Sequence, residues 1–260
     1  MIDALLDLLY PKDLYCICCG KIIDWSRTYR LCDDCMKSIK WNTGRVCEKC
    51  GKKLSDNNPR DICFDCSANK HEFRKGYSCA EYGTHERYIV MGFKYGNKLH
   101  IGETIGEMLT DRMQALIGKE ELRFAYDLLV PVPISHKKEL VRGFNQSQLI
   151  AAHFAEKSKL KLKNVTYSGN KIKLNEPLIR TKDTSAMKGL NPTERKENIK
   201  DCFDIKPVYT EKVKGSNCLV VDDIYTTGAT IDEISSTLYK MGAKNVDFLS
   251  FASGADVIKS

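Results

Sequence analysis

Asn217 to Thr230, NCLVVDDIYTTGAT, decides the fold. Leu219, Val220 and Val221 form a short β-prone apolar run, as expected of a strand covered on both faces in a parallel sheet. Asp222 and Asp223 then stand at its carboxyl end, where open α/β sheets bind ligands. Thr226, Thr227, Gly228, Ala229 and Thr230 follow as a small-residue turn, and a helix is predicted over 231–241. The first N–H groups of a helix lack internal acceptors and carry partial positive charge, so this turn suits a phosphate. Gly228 lets backbone approach the ligand closely. Two carboxylates beside an anion cradle fit a ligand that also offers hydroxyls, or a Mg2+ bridging carboxylate to phosphate. A sugar phosphate meets both demands. The alternative is a tight strand-to-helix turn with solvated aspartates.

Further strand-end chemistry lies upstream. DLLVPVP, Asp127 to Pro133, reads as a second parallel strand, followed by Lys137, Lys138, Arg142 and Gly143 and a helix from Phe144 to Lys157. That cation-rich loop could hold a second phosphate group. Gly76 to Tyr82 reads as a first strand. Glu86 to Lys94 and Lys98 to Leu116 read as helices, with FKYG (Phe93 to Gly96) between them. Arg180 to Gly189 is predicted to be a loop able to cover the site. Asn191-Pro192-Thr193-Glu194 is a helix start with N-cap, Pro at N1 and Glu at N3. Strands are expected over 202–205 and 245–252. Lys157 to Lys173 holds six lysines and no acid, either a solvated face or a surface for polyanions.

The front of the chain is set by cysteines. Ten of the twelve lie within Cys16 to Cys79. Cys16-x2-Cys19 and Cys32-x2-Cys35 are repeated, 31 residues on, as Cys47-x2-Cys50 and Cys63-x2-Cys66. Such knuckles aim two thiolates at one tetrahedral metal, so two four-cysteine zinc sites are expected rather than a disulfide cluster. Sequential and interleaved ligation both remain open. Cys18 has no counterpart in the second block. Residues 1–70 carry 12 Lys and Arg against 10 Asp and Glu, and two tetrathiolate zinc centres would add about −4, so charge alone gives this module no case for nucleic acid. Trp25, Tyr29, Arg30 and Trp41 could stack on bases or pad a ribbon that has little core. The domain reading is a double zinc ribbon over 1–70 and an α/β domain over 71–260.

Formal charge over the 260 residues is +7, and no apolar run approaches membrane-spanning length. Ile2, Leu5, Leu6 and Leu9, ahead of Pro11, suggest a small docking helix rather than a secretory signal.

VVDDIYTTGAT resembles the phosphoribosyl-pyrophosphate (PRPP) signature of type I phosphoribosyltransferases. The resemblance implies that Asp222 and Asp223 hold the ribose hydroxyls and that Thr226 to Thr230 hold the 5′-phosphate. Thr226 stands where purine-salvage members place an acidic base-activating residue, which argues against a hypoxanthine- or guanine-type acceptor. With the paired knuckles, FKYG, PVP, RGFNQ (Arg142 to Gln146), the R-x3-T loop and ERKEN, the chain is similar nearly throughout to the ComF-type competence family. That family joins a zinc ribbon to a phosphoribosyltransferase-like domain. The loop of the family usually has Gln where Met187 stands. The resemblance implies PRPP and Mg2+ as ligands, with Arg142 and Lys94 helping to neutralise pyrophosphate. It further implies a cytoplasmic bacterial protein that handles single-stranded DNA beside competence translocation proteins at the membrane, without inserting into it. Catalysis of phosphoribosyl transfer and non-catalytic binding of PRPP or nucleic acid are the two functional alternatives.

Overall fold

The structure is a computed structural model that describes residues 14–96, 98–168, 171–184 and 191–257. The expected helix around Ile2 to Leu9, and Met187, lie outside the described residues. In chain order the strands are β1 (Lys75–Glu81), β2 (Leu128–Pro131), β3 (Val165–Ser168), β4 (Lys171–Leu174), β5 (Leu178–Arg180), β6 (Phe203–Ile205), β7 (Asn217–Tyr225) and β8 (Asn245–Ser253). The helices are α1 (Asp33–Ser38), α2 (Phe64–Ala68), α3 (Thr84–Tyr95), α4 (His100–Ile117), α5 (Lys119–Ala125), α6 (His136–Arg142), α7 (Gln146–Ser158), α8 (Pro192–Ile199), α9 (Thr210–Val213) and α10 (Ala229–Lys240).

The central sheet has the order β1-β8-β7-β2, and every pair in it is parallel. Successive side chains of a strand point to opposite faces, and both faces are covered. Leu129, Leu219, Val221, Leu249 and Phe251 are buried in one core with Ile101, Ile105 and Leu109 of α4 and Ile150 and Phe154 of α7. Leu128, Val130, Val220, Val246 and Phe248 are buried in the other core with Ile231, Ile234 and Leu238 of α10. This double coverage explains why 218–221 is an unbroken apolar run. It also makes the architecture α/β with a parallel sheet, as expected.

The cysteine blocks pack on the edge strand and on α4: Trp41 bridges to Ala80 of β1, and Gly76 N of β1 donates to the Lys49 carbonyl. Arg30 donates to Thr104 Oγ1 (2.7 Å) and Glu103 Oε2 (3.1 Å) of α4, and Tyr29 donates to Asp111 Oδ2 (2.7 Å). Trp41 Nε1 donates to the Met36 carbonyl. Three of the four side chains weighed as base-stacking candidates are therefore engaged in packing the first block, and Trp25 is 81% exposed. Beyond β8, Asp256 accepts from Ser55 N, Asn58 Nδ2 and Phe64 N at 3.1, 2.9 and 2.8 Å, which clamps the second block.

Several elements differ from the sequence reading. Residues 136–142, read as part of a cation-rich loop, form α6, ended by Gly143 at φ +79°. Two antiparallel pairs, β3–β4 and β5–β6, were not expected. Arg180, expected to begin a covering loop, instead ends β5 opposite Phe203, with its guanidinium 5.7 Å over that ring.

Candidate functional site at the carboxyl edge of the sheet

Strand β7 continues past its apolar run, so Asp222 and Asp223 lie within its last four residues. Ser147 Oγ, in the first turn of α7, donates to Asp222 Oδ1 at 2.9 Å, and that oxygen also accepts from Asp223 N at 2.9 Å. Lys94, in the last turn of α3, brings Nζ to 2.5 Å from Asp223 Oδ2, an ion pair off the hydrogen-bond directions. Burial is the strongest single influence on the Lys94 ammonium and pulls it down, but Asp223 and Asp222 together hold it above the ordinary lysine value.

RGFNQ organises this corner. Asn145 caps α7 by accepting from Ser147 N, and its amide donates to the Val132 carbonyl and Glu176 Oε1. The end of β2 is thereby tied to the helix that presents Ser147. Arg142 donates to Gln146 Oε1 at 2.6 Å and to Tyr95 Oη at 3.2 Å, with its guanidinium 5.2 Å over the Tyr95 ring. Lys138 lies near enough that burial, then Arg180, Arg142 and Lys94, depress its ammonium below the usual range. Lys94 therefore meets the acidic pair directly, and Lys138 feels the charges of Arg180, Arg142 and Lys94.

Gly228 adopts φ +86° and caps α10. A small hollow of about 60 Å³ is lined by Asp222, Thr226, Thr227, Gly228, Thr230 and Arg195. Arg195 comes from α8 and reaches Thr226 Oγ1 at 3.4 Å. The capping box expected at Asn191 is what starts α8: Asn191 Oδ1 accepts from Glu194 N and Glu194 Oε2 accepts from Asn191 N.

Behind the turn sits a residue that sequence reasoning missed. His71 Nδ1 is 2.9 Å from Asp232 Oδ2, whose other oxygen accepts from Glu72 N. A Cβ on Gly228 would lie 2.9 Å from His71 Cε1 and from Tyr225 Oη. Lys52, 2% exposed, donates to Asp65 Oδ2 at 2.6 Å and lies 5.3 Å over the Tyr225 ring. No local motif signals the contact of His71 with Asp232 or of Lys52 with the Tyr225 ring, because each joins residues 160 or more positions apart.

Burial, then the neighbouring Asp223 charge, pushes the Asp222 carboxyl up from 3.8 to about 7. A raised carboxyl keeps its proton in the folded protein after the unfolded chain has lost it. This group therefore favours folding at low pH, and that contribution fades as pH rises through about 7. A ligand that needs the carboxylate should bind more tightly at about pH 8 than at about pH 6. Carbon-13 NMR of the Asp222 carboxyl should give a midpoint near 7; a titration complete below about pH 5 would contradict this.

The cysteines gather into two separate groups, Cys16, Cys19, Cys32 and Cys35, and Cys47, Cys50, Cys63 and Cys66, with all sulfurs of a group within 4.8 Å of one another. Cys19 and Cys32 sulfurs are 3.7 Å apart and Cys50 and Cys63 sulfurs 3.6 Å apart, near the ~3.8 Å of a tetrahedron with zinc–sulfur bonds of about 2.3 Å. Each group draws on one block, so ligation is sequential. Both first knuckles close alike, with Gly20 N donating to Cys16 O and Gly51 N to Cys47 O. Residues 5–67 match the family model of the double zinc ribbon domain. The front of the chain is a double zinc ribbon. Cys18 stands outside both ligand groups of the ribbon and donates to the His85 carbonyl.

Relatives cover most of the chain. It is 26% identical over 222 residues to Competence protein F of Haemophilus influenzae, covering 85% of this chain and 90% of that protein. It is 25% identical over 246 residues to Competence protein ComFC of Bacillus subtilis, covering 88% and 90%. It is 23% identical over 217 residues to DNA utilization protein YhgH of Escherichia coli K12, covering 83% and 87%. The resemblance to the ComF-type family that the motifs carry is thus borne out, as is its zinc ribbon. Among the described residues, no helix is long and apolar enough to cross a membrane.

Proposed function

We propose that this protein binds PRPP with Mg2+ at the carboxyl edge of β7 and serves in the uptake of DNA. The observation that carries the ligand reading is the meeting, in one hollow, of Asp222 with the Thr226–Thr230 turn, flanked by a cation cluster. Asp222 and Asp223 would grip the ribose hydroxyls. The turn, the first N–H groups of α10 and Arg195 would hold the 5′-phosphate. Arg142, Lys94 and Lys138 would take the pyrophosphate. The adjacent carboxylate oxygens are the hard donors that Mg2+ selects, and the ion would supply charge neutralisation for the diphosphate. DNA uptake comes to this chain from the names of its relatives, competence and DNA utilization. In that role it would act in the cytoplasm on single-stranded DNA, beside the translocation proteins. We read residues 71–260 as the phosphoribosyltransferase-like domain and residues 1–70 as the ribbon that supports it.

If transfer occurs, the positive charge that develops at the ribose as pyrophosphate leaves is stabilised by positioning and by the acidic pair. Thr226, which is neutral, gives an acceptor base no proton-accepting group, and this favours the second reading, in which PRPP is a non-catalytic ligand. In a thermal-unfolding assay, saturating PRPP with Mg2+ is expected to raise the midpoint by several degrees, since about 100-fold excess over Kd contributes ~2.7 kcal/mol. No shift at millimolar PRPP would overturn the ligand reading. Pyrophosphate release with a panel of bases and nucleotides separates the enzyme from the binder.

A further inference from the structure

We propose that a second site, at the opposite edge of the sheet, binds single-stranded nucleic acid. A groove of about 850 Å³ opens beside Asp127 and the β3–β4 hairpin. Asp127 N donates to the Asn217 carbonyl, which places the groove at the amino ends of β2 and β7, away from Asp222. Leu160, Leu162, Val165 and Ile172 give it an apolar wall, and Arg123, Lys159, Lys161 and Lys163 rim it.

Two exposed aromatics complete the pattern, Tyr167 on the groove wall and Phe124 just outside it, beside the rim cations Arg123 and Lys161. Phe124 is 61% exposed, with Lys161 Nζ 5.1 Å and the Arg123 guanidinium 5.8 Å from its ring centre. Tyr167 is 47% exposed, and its hydroxyl donates to the Ala155 and Leu160 carbonyls, which fixes the ring. Of the two acids on the groove, Asp127 accepts from Asn217 N and pairs with Lys163, while Glu156 lies with Oε2 3.4 Å from His153 Nδ1 and is outnumbered by the cations of the rim. Lys157, Lys159, Lys161 and Lys173 remain exposed around the apolar wall.

Flat apolar rings set among cations are what an unpaired strand requires, with bases stacking on the rings and phosphates meeting the lysines. Bases in a duplex are already stacked and cannot reach these rings. A lipid surface would call for a row of apolar side chains that protrude from an amphipathic helix, whereas here Leu160, Leu162, Val165 and Ile172 line a hollow. The site does not depend on the ribose-phosphate reading; it rests on the proposed DNA role only for the identity of the natural strand.

The test is fluorescence anisotropy of a labelled oligothymidylate with the zinc-loaded full chain. Phe124→Ala should weaken binding at least about fivefold and leave the salt dependence unchanged. Lys159→Glu/Lys161→Glu should weaken it and reduce the slope of log K against log salt by roughly 1.4. Both variants alter exposed side chains, and circular dichroism verifies that they fold. An Asp222→Asn/Asp223→Asn protein should bind the oligonucleotide like wild type. Wild-type affinity in both groove variants would overturn the proposal while leaving the DNA role intact. No binding by wild type at low salt would overturn the site and the DNA role together. Groove-dependent binding to phosphatidylserine vesicles, with none to oligothymidylate, would reassign the face to acidic lipid and equally overturn it.

Discussion

Cys63→Ser is expected to remove one of two zinc equivalents and, with it, binding at the ribose-phosphate hollow. The second half of the ribbon has little core of its own, chiefly Leu54 and the cysteines. Structural zinc supplies on the order of 10–16 kcal/mol to such units, comparable to the ~5–15 kcal/mol of net stability common to whole domains. Loss of this ion cannot be absorbed locally. The damage should travel to the site because the ribbon packs on Tyr225, which lines the hollow. Lys52, two residues past the first knuckle of the second block, lies over the Tyr225 ring, and His71, just beyond the last ligand, abuts Gly228 and pairs with Asp232. Zinc content by mass spectrometry should fall to one equivalent, and PRPP affinity should fall at least about tenfold, a loss of ~1.4 kcal/mol. Cys19→Ser offers the contrast. The first knuckle packs beside α3 and α4, so that variant should lose zinc yet keep more of the hollow. A Cys63→Ser protein with one zinc and unchanged PRPP affinity would refute the coupling.

The second large effect is expected at Gly228. Its φ of +86° is one that a β-branched residue rarely adopts, and a Cβ there would meet His71 Cε1 and Tyr225 Oη at 2.9 Å. Both neighbours are buried, so neither can move away freely. Gly228→Val should therefore displace the turn as a whole. The backbone strain is of order 1–3 kcal/mol, and the cradle's N–H groups would no longer converge on a phosphate. We expect a lowered unfolding midpoint and PRPP binding weakened by about 100-fold, roughly the 2.7 kcal/mol of two decades. Binding within a factor of about two of wild type would show that the phosphate is held elsewhere.

Much of this was legible in the chain itself where chemistry is local. The run Leu219 to Val221 marked a strand covered on both faces. The cysteine spacing marked the metal centres, and Asn191-Pro192-Thr193-Glu194 marked the start of α8. The position of Asp222 was approximate only in that β7 runs on to Tyr225. What could not be read depends on contacts between distant segments. His71 and Asp232 are ordinary residues until the ribbon folds against α10. Asp256 gives no sign that its carboxylate clamps Ser55, Asn58 and Phe64. The hairpin β3–β4 lies within a lysine run whose few β-prone residues, Val165, Tyr167 and Ile172, are outweighed by charge. Helix α6 is a single short element with exposed Leu140 and Val141, so it lacks the periodic apolar face that reveals longer helices.

The most direct measurement is calorimetric titration of PRPP with Mg2+ into the zinc-loaded protein and into Asp222→Asn/Asp223→Asn. These substitutions keep the shape of the acids and remove their charge. Saturable binding by wild type and its loss in the variant, with both proteins retaining two zinc ions and the same fold, is the predicted result. Equal affinity in the two proteins would contradict the assignment of the ribose to this edge of the sheet.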